Sequence, residues 1–340
     1  MVYIKWHQER PELKSDGKHV RWFPPWCMDA FPMITAASVV QVAVRAVTGT
    51  VLVIGANRGE SRTDQSWTTL VSPSAAHIHK VFIEPIPPVF RRLQQNVLSV
   101  ANTTTLQLAV SSQSGTLPMF CIGFDPNQAG VLASNGPFGL PKFPGGLRSS
   151  SWSRSAKRDG RGWWTEVCSL SKERLVDTKG DVAADFIHLK DRDHAGAAAL
   201  LSRFVQNVSV RVITFDELLA LRPDSGGVVP IIDRTAVRHV QIDVEGFDDA
   251  LIRSLPLVKR PDAWGAAISL RLARADGFRP WSIAFEHMLL SRKRLADASD
   301  RLRSFGYEVC LEGQNAIAFD TSIRSFKKLP VATRPKQPTL

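Results

Sequence analysis

Four places in the chain bring together residue types that can do chemistry. The first is "VLVIGANRGE", where an apolar run stops at Gly55 and turns through Ala56, Asn57 and Gly59. Glycine at such a turn lets a ligand approach the backbone, and the amides that open a following helix can bind it. The second is "FIEP", where Glu84 and Pro85 end another apolar run. An acid at a strand end can accept both hydroxyls of a ribose. The third is "QIDVEG", with Asp243 and Glu245 one residue apart. On an extended segment two such carboxylates point the same way, which suits a cation, a metal or a substrate hydroxyl. The fourth is the end of "WSIAFEH", where Glu286 and His287 follow a β-rich run. Each place also has a plain structural reading: a turn that needs small residues, a solvated strand end, an acidic turn or a hydrogen-bonding histidine.

The elements that carry these residues repeat in a simple rhythm. "TVLVIG", "HKVFIEP", "TTLQLAVS", "VRHVQIDVEG" and "WSIAFEH" are near-continuous apolar runs, as expected of strands buried on both faces. Between them, "PPVFRRLQQNVLSV" places Phe90, Leu93, Val97 and Leu98 at helical spacing, with Arg91, Arg92, Gln94 and Gln95 outside. "DDALIRSL" follows the fourth run in the same way. Strand and helix in alternation predict an α/β fold, a parallel sheet with helices on both faces. "LRSFGYEVCLEGQNAIAFD" reads as two strands around a Glu-Gly-Gln-Asn turn, giving the sheet an antiparallel C-terminal hairpin strand.

Around this core the sequence divides. Residues 1–44 read as an N-terminal extension that packs on the core through Trp6, Trp22 and Trp26. Residues 45–324 form the main domain. A long insertion at about 121–208 interrupts it, and insertions of that length are functional or disordered. The tail at 325–340 is basic and Pro-rich and is expected to be disordered.

The chain has 340 residues, 44% of them hydrophobic, and a net charge of +11. That is ample for a large core, and the charge favours acidic partners without saying anything of the fold. The four cysteines lie far apart and no pair has CxxC spacing, which argues against zinc, and no metal is assigned. They are expected to be reduced thiols in an intracellular protein. The N-terminal residues show no export-signal pattern and no apolar run is long enough to span a bilayer, so the expectation is a cytoplasmic protein.

Taken in order, "VLVIGANRGE", "VFIEPIPPVFRRLQQNV", "LAVSSQSGTLPMF", "VITFDELL", "VQIDVEGFDDALIRSL" and "FGYEVCLEGQNAIAFD" resemble the successive blocks of the FkbM family of S-adenosylmethionine-dependent methyltransferases. The resemblance covers about 45–120 and 210–320. It implies a Rossmann-like class I methyltransferase fold and, in most members, O-methylation of a hydroxyl on a small molecule or carbohydrate. Carried over by position, Gly55, Ala56, Asn57 and Gly59 would line the methionine part of S-adenosyl-L-methionine. Glu84, with Pro85, would hold the ribose, and Ser111 and Ser112 would lie near the adenine. The chain departs from the family there, because Ser112 stands where an acid is usual and a serine binds an amine more weakly. Asp243 would face the methyl-transfer site. It is the first candidate for the base that takes the hydroxyl proton, with Glu245 beside it and Glu286 and His287 as further candidates.

Two other readings remain. A nicotinamide-dependent enzyme needs G-x-G-x-x-G, and Asn57 replaces the middle glycine. A nucleic-acid-binding protein, or an RNA methyltransferase, could use "RSSSWSRSAKRDGRGWW", where Arg148, Arg154, Lys157, Arg158 and Arg161 mix with Trp152, Trp163 and Trp164. The alternative for that stretch is a basic loop with a few docked aromatics.

Overall fold

A computed structural model describes residues 36–45, 48–59, 65–122, 168–172, 202, 205–223, 229–259, 277–287, 290–312 and 315–323. The tryptophans of the N-terminal extension, the Arg/Trp-rich stretch and the C-terminal tail lie outside the described residues.

The apolar runs form the strands they predict. β1 (Thr50–Ile54), β2 (His79–Ile83), β3 (Thr103–Leu106), β8 (Val237–Ile242) and β9 (Ser282–Glu286) run parallel. β10 (Tyr307–Glu312) and β11 (Asn315–Asp320) complete a seven-stranded sheet of order β10-β11-β9-β8-β1-β2-β3. Only β11 runs against the rest, paired with β9 on one side and β10 on the other. The fold is therefore α/β with a mostly parallel mixed sheet and an antiparallel strand from the C-terminal hairpin.

Both faces are covered, which is why the strands are apolar throughout. On one face Leu52, Ile54, Val81, Ile83, Val240, Ile242 and Phe285 pack with three helices. These are α4 (Phe215–Ala220), α5 (Asp248–Ser254) and α6 (Arg292–Ser304). On the other face Val51, Val53 and Phe82 meet residues of α1 (Ala36–Val44), α2 (Gln65–Leu70) and α3 (Pro87–Val97). Residues 36–44 of the expected extension are thus a core helix: Val39, Val40, Val42 and Ala43 are buried.

Local signals set the helix ends. Proline at N1 with its fixed φ opens α3, whose buried stripe is Val89, Phe90, Leu93 and Val97. Leu98, expected on that stripe, follows the helix and is exposed. Thr214 and Glu217 form a capping box that starts α4, and Ser291 caps α6.

A second, smaller sheet stands apart from the predicted one. The run "TTLQLAVS" breaks at Gln107–Leu108, so that β3 ends in the large sheet and β4 (Ala109–Ser111) joins a smaller one. That sheet has order β4-β7-β5-β6, with β5 (Gly115–Ile122), β6 (Cys168–Ser169) and β7 (Val205–Thr214). β5 and β7 pair antiparallel from Gly115↔Val212 to Ile122↔Val205. The described ends of the insertion are therefore strand rather than loop.

The cysteine expectation is corrected. Cys121 and Cys168 are joined in a disulfide between β5 and β6, and Cys310 is also disulfide-bonded. Cys121 and Cys168 sit in antiparallel register in a small apolar cluster with Met119, Val210 and Val212, so their side chains meet across the pair. Disulfides persist in oxidising compartments. The cytoplasmic expectation thereby loses its cysteine argument. Among the described residues no helix is long and apolar enough to cross a membrane.

Candidate switch-point site

The order of the large sheet reverses at β1. From there the chain builds outward through β2 and β3 on one side and later through β8 and β9 on the other. In open α/β sheets the crevice beyond the carboxyl ends of the strands at such a point is where ligands bind. A crevice lies there. Gly55, Asn57, Glu84, Pro85, Asp243 and Glu245 line it, with an apolar wall that includes Ile86, Leu108, Ala109, Met119 and Phe247.

The turn after β1 is shaped by close contacts. Gly55 has φ +79°, and a Cβ placed on it would lie 1.7 Å from the carbonyl oxygen of Asp243. No side chain fits between β1 and β8 at this level, so glycine is required by the neighbouring strand itself. Asn57 adopts φ +51°, a left-handed conformation that asparagine tolerates. Gly59, at φ +65°, would drive a Cβ to 2.7 Å from Leu93 and 2.8 Å from Trp67. It lets the turn pack on α2 and α3 rather than shaping the crevice.

Glu84 leaves β2 and is buried. Its Oε2 accepts a hydrogen bond from Asn57 N at 3.0 Å, and its Oε1 accepts one from Ile86 N at 2.9 Å. One carboxylate thus ties the β1 turn to the start of α3. It does so from the crevice wall, where the sequence reading placed it as a ligand residue.

The acids after β8 reach the crevice through a tight turn rather than an extended segment. Glu245 has φ +51° and Gly246 φ +83°. Arg294 of α6 fastens this turn by donating to Gly246 O at 2.7 Å and to the buried Asp249, which also accepts from Arg253. Asp243 is exposed in the crevice mouth. Register places Glu286 beside it, because Ile242 pairs with Phe285 in the parallel β8–β9 ladder. Burial, and then the charge of Asp243, pushes the Glu286 carboxyl up to about 8.

The sequence reading missed Asp248, which opens α5 and is fully buried. Its Oδ2 accepts from Gly246 N at 3.2 Å, and its Oδ1 has no hydrogen-bond partner. Burial, with Asp243 and Glu286 nearby, holds its carboxyl well above the usual carboxylate range. In the sequence Asp248 and Asp249 look alike, as acids in the first turn of a helix. Only the fold separates them, pairing Asp249 with arginines and leaving Asp248 against other acids.

Of the proposed cofactor residues, Gly55, Asn57, Glu84 and Pro85 meet at the crevice. Ala56, Gly59, Ser111 and Ser112 are not on its wall. Ser111 is buried at the end of β4, one residue past the lining Ala109 and Val110, and Ser112 is exposed. Of the catalytic candidates, Asp243 and Glu245 line the crevice, Glu286 stands beside Asp243, and His287 follows Glu286 away from the wall. The wall also includes Cys168 and Leu170, held there by the Cys121–Cys168 link. No sequence spacing signals that contribution. Among the described residues no group of three or more His, Cys, Asp or Glu is placed to hold a metal ion.

Comparison with protein-family models, with curated proteins and with solved structures gave no match.

Proposed function

We propose that the chain is an S-adenosylmethionine-dependent methyltransferase that methylates a hydroxyl of a small molecule or carbohydrate. One observation carries this reading. The chain has a net charge of +11, yet the charged side chains on the described crevice wall are Glu84, Asp243 and Glu245, all carboxylates. Such a wall attracts a ligand that carries positive charge and repels phosphates. S-adenosylmethionine is cationic at the sulfur and at its amino group. A dinucleotide pyrophosphate and a nucleic-acid backbone are anionic, so the wall speaks against both rivals at this site.

The remaining chemistry of the wall fits as well. Ile86, Leu108, Ala109 and Met119 offer an apolar surface for a flat base. On this reading Glu84 on the wall accepts the ribose hydroxyls, and the Gly55 turn offers the backbone. The mostly parallel sheet with its antiparallel C-terminal strand supports the class I methyltransferase fold that the resemblance implies.

When bound, the cofactor supplies an electrophilic methyl on a sulfonium. The chain's residues hold the acceptor oxygen in line with that methyl, and orientation of this kind supplies roughly 7–11 kcal/mol of a barrier. Asp243, exposed in the crevice, takes the hydroxyl proton. The apolar wall excludes water, which would compete as acceptor.

Calorimetric titration of the purified chain with S-adenosylmethionine, its demethylated product, NAD and a single-stranded RNA tests the reading. The first two are expected to bind and NAD is not. Absence of binding by both the cofactor and its product, or salt-sensitive RNA binding that displaces them from the crevice, would overturn it.

A further inference from the structure

Three carboxylates gather at the carboxyl edge of β8 and β9, and burial ranks them. Asp248 is fully buried, Glu286 is partly buried, and Asp243 is exposed. The β8–β9 register sets Asp243 beside Glu286, and the tight turn through Gly246 returns Asp248 to the same place. The buried Oδ1 of Asp248 has no hydrogen-bond partner, and Asp243 and Glu286 lie near enough to act on its carboxyl. Ionised, it would be a buried charge with an unsatisfied oxygen, a costly state. As a neutral acid it carries a proton to share. The positive groups nearby are engaged elsewhere: Arg294 holds Asp249 and Gly246 O, and Arg253 holds Asp249. Asn315, the residue paired with Glu286 on β11, is uncharged. Glu245 and His287 adjoin the cluster in sequence, and Glu245 adds a further acid.

We propose that Asp243, Asp248 and Glu286 act as one proton-holding cluster. At neutral pH the buried Asp248 and Glu286 stay neutral, and Asp243, the exposed member, receives the proton of the attacking hydroxyl. The last step rests on the methyltransferase reading. The hydroxyl oxygen forms a bond to the methyl carbon, the carbon–sulfur bond breaks, and its electron pair remains on sulfur as a neutral thioether. The hydroxyl proton passes to the Asp243 carboxylate and from there to solvent. Glu286 and Asp248 are positioning residues: as neutral acids they add no further charge beside Asp243.

Glu286 has a folded value of about 8 against an ordinary 4.5. The folded chain therefore holds a proton that the unfolded chain releases. The stability this provides is complete below the ordinary value and is lost as pH rises through the folded one. Between those limits the folding constant falls by up to about tenfold per pH unit. His239, held down to about 4 by burial from an ordinary 6.5, acts in the opposite direction only below that ordinary value. Measurements between pH 7 and 9 therefore isolate the cluster from His239.

The experiment is urea unfolding of the cofactor-free chain from pH 5 to 9, for wild type, Glu286→Gln and Asp248→Asn. Wild type is expected to weaken steeply on the alkaline side. Glu286→Gln, which mimics the neutral acid, is expected to flatten that loss, and Asp248→Asn to fold and resist alkali at least as well as wild type. If Glu286→Gln does not fold, Asp243→Asn provides the second measurement. Removing the charge beside Glu286 is expected to move the alkaline loss to lower pH. A wild-type chain with flat stability from pH 7 to 9, a Glu286→Gln variant with an undiminished slope, or an unmoved midpoint in Asp243→Asn overturns the cluster. None of these measurements uses the cofactor. Failure of S-adenosylmethionine to bind would sink the enzymatic reading while leaving the proton-holding result intact.

Discussion

Glu84→Ala separates two roles that the sequence cannot tell apart. If Glu84 only held a ligand, its removal would weaken binding and leave the fold untouched. The structure instead gives its two oxygens to Asn57 N and Ile86 N, at 3.0 and 2.9 Å. Alanine strips both amides of their acceptor. An unsatisfied buried polar group costs about 1–3 kcal/mol. Ile86 N is buried and bears the full cost, whereas Asn57 N is partly buried and recovers some through water. The loss is therefore roughly 2–4 kcal/mol of a total of about 5–15. Urea unfolding without ligand reads it as a lower midpoint at an unchanged slope. Glu84→Gln keeps one acceptor oxygen and presents an NH₂ to the other amide, so it is expected to lose stability as well. If both variants unfold within about 1 kcal/mol of wild type, the bracing role is wrong and Glu84 is a ligand residue alone.

Gly55→Ala should lower the melting temperature and, on the proposed methyltransferase reading, abolish S-adenosylmethionine binding with it. The left-handed backbone costs a side-chain-bearing residue about 1–2 kcal/mol, and the added carbon meets the Asp243 carbonyl at 1.7 Å, forcing β1 and β8 apart. An unchanged melting temperature would refute that collision. Replacing Cys121 and Cys168 together by serine should destabilise the chain and weaken ligand binding, because Cys168 and Leu170 line the crevice. For a sequence separation of 47 the chain-entropy contribution is about 4 kcal/mol. A double variant that melts and binds like wild type would show that the link is idle.

Much of the architecture was legible because the central strands are buried on both faces. β1, β2, β8 and β9 read as continuous apolar runs, and α3 shows its proline start and its stripe. The small sheet was hidden for two reasons. Pro118 lies inside β5, and proline argues against a strand unless its nitrogen faces an unpaired side. The partner of β5 is also some ninety residues away, beyond any local signal. The break inside "TTLQLAVS" was hidden because its residues suit a strand throughout, and only the divergence of two sheets parts them. At the site, Gly55, Asn57, Glu84 and Asp243 were legible by type and position. Asp248 was not, since its character comes from burial and from Asp243 and Glu286, which only the folded chain brings to it.

The pairing of Ile122 with Val205 fixes the two ends of the long insertion side by side. That pairing lies within the small sheet, which shares no strand with the large one. Yet part of the insertion, Cys168 to Leu170, returns to the crevice and is fastened there. The acids stand at the carboxyl edge of the large sheet, and part of the opposing wall is carried by the small sheet and its disulfide. Reduction of the Cys121–Cys168 link would therefore loosen one wall of the crevice while the row from Gly55 through Asp243 to Glu286 stays on the large sheet.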